Sequence, residues 1–170
     1  MFSLSPSIFP APSIALFRRS ELRSVVSSGA LGRRDRGQSL EGLSILQLGF
    51  SRQDGILLTE TMQGMGARNV AKSEQVYPLS LGKPGSLRYD GIVVNLDRFA
   101  DVEMGIDRLM RFRRASPACF IVMATAGVAS DDFGHHRRAI CDSTLRLPLT
   151  ASRLTEALEA AISNHGSRAA

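Results

Sequence analysis

The sequence predicts an α/β domain built on a five-stranded parallel sheet with helices on both faces, and three consecutive stretches carry that prediction. Residues 91–95, GIVVN, form an apolar, β-branched run that ends at a polar side chain, the pattern of a parallel strand buried on both faces. Val102, Ile106, Leu109, Met110 and Arg113 then fall on one side of a helix that Ser116-Pro117 closes. CFIVMATA, from Cys119, is again a buried strand. Two parallel strands need a crossover of about a dozen residues or more, and this helix supplies it. Ligands in such sheets bind just past the carboxyl ends of the strands. Asn95, Asp97 and Thr125 occupy that position.

The remaining elements follow in order. LSILQLGF (43–50) reads as the first strand, ending at Gly49. Ser51 is placed to cap a helix of three to four turns that carries Ile56, Leu57, Leu58, Met62 and Met65. GMGARNV stops that helix, and Val70-Ala71 begins a weak second strand. Residues 76–88 hold Gly82, Pro84 and Gly85, so a helix there is short or replaced by a loop. Ser130, followed by Asp131 and Asp132, predicts another helix start, continuing through Arg137 to Cys141 with Gly134 as its weak point. STLRLPLT is a short last strand stopped by Pro148. Thr150 or Ser152 caps the final helix, whose buried stripe is Leu154, Leu158, Ala161 and Ile162. The expected total is five strands and four or five helices.

Charge divides the chain. The 170 residues carry a net charge of +5, yet residues 1–40 hold six Arg against Glu21 and Asp35, while residues 41–170 are close to neutral. Three segments follow: a basic leader over 1–40, disordered or with one short helix; an α/β domain over 41–166; and a tail at 167–170. The leader, rich in Ser, Pro and Arg and poor in acids, is similar to an organelle transit peptide. A near-neutral domain argues against nucleic-acid binding by its own surface. The two cysteines, Cys119 and Cys141, fit buried thiols in a reducing compartment rather than a disulfide framework. No apolar stretch approaches the roughly 20 residues that span a bilayer.

From about Leu43 to Asn164 the chain resembles the receiver domain of bacterial response regulators, a CheY-like, flavodoxin-like fold. YDGIVVNLD looks like the family's third strand, IVMATA like its fourth strand with the switch Thr at Thr125, and STLRLPLTASRLTEAL like its fifth strand and last helix. The family's acidic, magnesium-holding pair falls here on Gly49 and Phe50, its phospho-acceptor on Asn95, and its Lys before Pro on Leu147, beside Arg146. Phosphoryl transfer needs a carboxylate nucleophile, an oxygen-clamped cation and a positive group to draw the phosphoryl. Asn is not a usable nucleophile, and Gly and Phe cannot ligate magnesium. Asp97, two residues on, lies past the strand end and lacks the metal partners. The resemblance therefore implies a receiver that works without phosphorylation, with no cofactor and no metal.

Other signals are weaker. GMGARN follows a helix rather than a strand, so it is a helix stop rather than a dinucleotide loop. Asp131, Asp132, His135, His136 and Cys141 match no metal-ligand spacing. RLMRFRR (108–114) is a basic helix face that i,i+4 pairs such as Asp107 with Arg111 solvate. No catalytic arrangement emerges, and no enzyme is expected. The expected function is a stand-alone cytoplasmic regulatory protein of two-component phosphorelay signalling that acts by binding another protein. The candidates are a histidine kinase, a phosphotransferase, a transcription regulator or a second copy. The resemblance places its contacts on the face from Asp131 to Ile162, with Arg137, Arg138, Arg146 and Arg153 presented to the partner. Two alternatives stand beside this. One is a small-ligand site in the crevice around Gly49, Asn95 and Thr125; the other is nucleic-acid association through the Arg-rich leader.

Overall fold

A computed structural model describes residues 39–76 and 89–167. Most of the expected leader, the irregular stretch beyond Val76 and the last three residues lie outside the described residues. Five strands form one sheet: β1 (Ser44–Leu48), β2 (Asn69–Ser73), β3 (Gly91–Asn95), β4 (Phe120–Thr125) and β5 (Ser143–Arg146). Their order is β2-β1-β3-β4-β5 and every pairing is parallel. The chain leaves β1 outward to β2 and then crosses to β3 on the other side, so the topological switch point lies between β1 and β3.

Among the described residues three α-helices cover the sheet: α1 (Arg52–Gly64), α2 (Val102–Ala115) and α3 (Ala151–Gly166). Each starts at a side-chain cap, with Ser51, Asp101 and Thr150 accepting from the amides of Asp54, Glu103 and Arg153. Alternate strand residues divide between two cores, as the two-residue strand period requires. Ile45, Val93, Phe120, Val122 and Leu145 face α1 and α3, where Leu58, Met62, Leu154 and Leu158 meet them. Leu46, Ile92, Val94, Ile121 and Met123 face Leu109 and Phe112 of α2. Leu40, at the expected leader boundary, is fully buried in the first core, and its amide bonds Met65 O. Gly91 is required where it stands, because a Cβ there would sit 2.1 Å from the Phe120 ring.

The structure departs from the expected elements in two places. Residues 130–141 form bends and turns rather than a helix. Asp132 instead pairs with Thr144 in an isolated antiparallel bridge, exchanging both amide–carbonyl bonds at 2.9 and 2.8 Å. Backbone committed to the edge of β5 is unavailable for helical i→i−4 bonds, and Gly134 in the same stretch weakens a helix further. Among the described residues there are thus three α-helices, not four or five. The α2 stripe is also narrower than its spacing implied: Leu109 and Arg113 are buried, but Val102 is 50% exposed.

At the amino ends of the strands lies a buried polar cluster. Arg113, near the end of α2, donates to Asp142 Oδ2 at 2.7 Å and to Cys119 O at 3.2 Å. The same carboxylate oxygen accepts the Ile121 amide at 2.8 Å, and His165 Nδ1 lies 3.6 Å away. Asn164 Nδ2 bonds the Asp142 carbonyl at 2.7 Å. Arg113 and Asp142 are 4% and 1% exposed, and Arg113 Nε and Asp142 Oδ1 have no hydrogen-bond partner. Burial pushes the neighbouring Cys119 thiol up to about 12, and it raises Cys141 as well. Both cysteines are free and buried.

Candidate functional site

The carboxyl ends of β1, β3, β4 and β5 bring together the residues singled out by sequence. Gly49 follows β1 with φ of +76°, a backbone region that side chains with a Cβ rarely adopt. A Cβ there would also lie 2.9 Å from Val76 Cγ1 and 3.0 Å from Arg98 Cγ. A side chain at position 49 would therefore be strained by the backbone and would require Val76 and Arg98 to shift. Phe50, beside it, is 5% exposed and packs into the core with α1 and α3.

Asn95 is the last residue of β3 and is 7% exposed. Its Nδ2 donates to Gly49 O at 3.1 Å, and its Oδ1 accepts the Asp97 amide at 3.0 Å. A carboxamide suits this place because it both donates and accepts. The accepted bond caps a short 3-10 turn, Leu96–Arg98, which carries Asp97 past the strand end. There Asp97 Oδ1 accepts from Thr125 Oγ1 at 2.5 Å and Oδ2 accepts the Ala126 amide at 2.8 Å. Thr125, 5% exposed at the end of β4, also accepts the Gly127 amide at 3.0 Å. Its carbonyl accepts the amide of half-buried Leu147 at 3.0 Å. One continuous hydrogen-bond chain thus ties the ends of β1, β3, β4 and β5.

Chemically this is a clasp. Asp97 is the carboxylate in the group, and both of its oxygens are occupied by donors. Among the described residues no three His, Cys, Asp or Glu side chains converge as a cation would require. The crevice at the switch point is spanned by the Asn95–Gly49 bond, and the Val76 and Arg98 side chains crowd Gly49.

The four arginines expected to meet a partner are engaged within the chain. Arg153 grips Asp131 through Nε, at 2.6 Å, and through a second guanidinium nitrogen; it also donates to Pro148 O and Arg146 O. The Arg153 hydrogen bond is the main reason the Asp131 carboxyl lies below its ordinary range, and Asp131 in turn raises Arg153. Arg146 donates to Ala129 O at 3.0 Å and its amide bonds Asp131. Arg137 pairs with Asp132 at 3.5 Å, and Arg138 reaches His135 and Ser167. Of the four, Arg146 is exposed and the others are half-buried. Arg146, Arg153 and Arg138 fasten the 126–142 segment to β5, α3 and the end of α3, while Arg137 braces the segment internally. On α2, the expected Asp107–Arg111 pair forms at 3.6 Å, and Arg108 lies over the Phe99 ring, 5.8 Å from its centre.

Sequence reasoning missed Gln47 and Asp142. Gln47 is a polar residue inside an apolar strand, 2% exposed, and that intrusion was the available signal. Asp142 gave a fainter one, an acid immediately before a buried strand. Arg113 was placed on the buried stripe of α2 without a partner for its charge.

No family model and no curated protein matches this chain. Solved structures do. A response regulator from Thermotoga maritima superposes with a TM-score of 0.57 at 16% identity, covering 72% of this chain and 98% of that one. The chemotaxis response regulator CheY4 of Vibrio cholerae gives 0.53 at 16% identity, over 69% and 97%. The pilus assembly protein CpaE from Caulobacter crescentus gives 0.54 at 14% identity, over 72% and 95%. These likenesses define the class of fold: a CheY-like receiver-type α/β domain. No helix among the described residues is long and apolar enough to cross a membrane.

Proposed function

We propose that this chain is a receiver-like regulatory protein of two-component signalling that acts by binding another protein, without being phosphorylated. The observation that carries the reading is the clasp at the strand ends. Asn95 stands where the resemblance expects the phospho-acceptor, and it spends its carboxamide on Gly49 and Asp97. The nearby carboxylate, Asp97, already holds Thr125 and Ala126. A domain so held presents one surface constantly, which suits a scaffold or a competitor better than a phosphate-driven switch. Its partner is a histidine kinase, a phosphotransferase, a transcription regulator or a second copy. The likeness to CpaE, whose name concerns pilus assembly, widens the setting in which such a module works.

Two measurements test this. Purified protein incubated with a small phosphodonor and Mg²⁺ is expected to gain no acid-labile phosphate; a stoichiometric gain would sink the reading. Full-length protein and residues 39–170, which keep the buried Leu40, each isolated from native cells, are expected to retain the same partner protein. Retention of nucleic acid by the full-length form alone, with steep salt dependence, would move the function to the leader.

A further inference from the structure

We infer that this protein forms a two-fold dimer in which α2 lies antiparallel against α2 of a second copy, with Asp107 set against the partner's Arg111 and Met104 against the stem of the partner's Arg114. The inference deepens the protein-binding reading by naming a second copy as one partner. A monomeric protein would leave that reading standing with its other partners. Helix α2 covers the sheet face opposite the one that carries α1 and α3, so a contact there leaves the outer surfaces of those two helices to any other protein.

Three observations point to a second copy. The first is spacing. Met104, Asp107, Arg111 and Arg114 follow one another at intervals that keep them on one side of a helix, and all four are exposed. Met104, at 46%, is one of the few large apolar side chains that stand exposed among the described residues. The second is a division of charge along the helix. Glu103 and Asp107 lie in its amino half, Arg111 and Arg114 in its carboxyl half. Matching to the helix dipole would act on all three helices alike, yet α1 has no basic residue in its last turn and α3 no acidic residue in its first. The third is that these charges are free to be shared. Asp107 and Arg111 pair within the helix at 3.6 Å, but their side chains are 67% and 80% exposed, and a pair so solvated holds its partners weakly. Glu103 and Arg114 form no ion pair among the described residues.

A strip that is acidic at one end and basic at the other is complementary to itself only when reversed. A two-fold axis crossing α2 at the level of Leu109 opposes residues that lie equally far on either side of it. Asp107 then meets the partner's Arg111 and Arg111 meets the partner's Asp107, so each contact is made twice. Met104 meets the partner's Arg114, whose aliphatic stem covers the thioether while its guanidinium lies beside Glu103. Parallel pairing would set Asp107 against Asp107 and Arg111 against Arg111, and such like-charge contacts are costly. Helix α2 has 14 residues and is about 21 Å long. One helix-on-helix contact of that length falls below the standard interface, so the dimer is weak and reversible.

The test is sedimentation of the full chain at low salt, over a concentration series into the millimolar range, where the protein should pass from monomer to dimer. Asp107→Arg and Arg111→Asp, at two exposed positions, each place like charges at both repeats of the contact. Each should weaken dimerisation about tenfold or more. An equimolar mixture of the two variants should dimerise again, because every reversed position then faces its opposite, and the Asp107→Arg/Arg111→Asp double variant should do the same. A monomer at every concentration would overturn the proposal, as would a dimer that either single variant leaves intact. A dimer that both variants weaken and that neither the mixture nor the double variant restores would overturn the antiparallel pairing.

Discussion

The two ends of the sheet both hold polar networks, and they are built on opposite principles. At the amino end, Arg113 and Asp142 are almost wholly removed from water and leave two polar atoms unpaired. At the carboxyl end, Asp97 stands exposed and each carboxylate oxygen has a donor. A buried ion pair carries a desolvation cost that only its partner offsets, so removing one member exposes the whole cost. An exposed carboxylate such as Asp97 loses just the difference between a protein partner and water. One end is therefore structural and intolerant, the other adjustable.

The largest effect is expected from Arg113→Met, which strands the Asp142 carboxylate in the core. A loss of roughly 3–5 kcal/mol should lower the melting temperature by on the order of 10 °C, measurable by calorimetry. Adding Asp142→Leu should recover only part, because the Ile121 amide would still lack the oxygen it now bonds. Full recovery would mean that the ion pair alone, without that amide, sets the cost.

Next is Asn95→Asp, which restores a carboxylate at the strand end. The new oxygen would face Gly49 O in place of the Nδ2 donor, costing about 1–3 kcal/mol. Denaturant titration should show that loss. Treatment with phosphodonor and Mg²⁺ should still leave no acid-labile phosphate, since Gly49 and Phe50 supply no metal ligand. A phosphorylated, undestabilised variant would erase the contrast between the two ends.

Smaller again are Asp97→Ala and Thr125→Ala, each expected to cost about 1 kcal/mol. Because they share one hydrogen bond, their double mutant should fall short of the sum by about 0.5 kcal/mol or more. Strict additivity in denaturation would show that the clasp is not a unit.

The smallest effect concerns the fastening of the 126–142 segment. Asp131 is held below its ordinary carboxyl range by Arg153. Its contribution is fully present above the unfolded value of about 3.9 and is lost as pH falls through the lower folded value. Hydrogen exchange at the Arg146 amide, which bonds Asp131, should accelerate relative to the intrinsic rate below about pH 4, and Arg153→Gln should bring that onset to higher pH.

How much of this was legible in the sequence follows from which forces were local. β3, α1 and α3 were readable because apolar runs, caps and helical spacing are written in neighbouring residues. The strand-end set Gly49, Asn95, Asp97 and Thr125 was readable because parallel topology delivers strand termini to one edge. The 126–142 segment was not, since what decides it is long-range: Thr144 takes the Asp132 backbone and Arg153 takes the Asp131 carboxylate. Arg113 looked like a helix-face residue for the same reason; its partner lies 29 residues away.

The bridge between Asp132 and Thr144 has a bearing on assembly. β5 is one border of the sheet, and an unprotected border is a template onto which a foreign strand can zip. With the Thr144 amide and carbonyl already bonded to Asp132, that template is interrupted at its middle. Growth of the sheet by recruiting another chain is thereby steered to the opposite border, β2, where Lys72 stands as an exposed charge of the kind that discourages stacking into aggregates. The sheet is in this way kept from growing indiscriminately onto copies of itself.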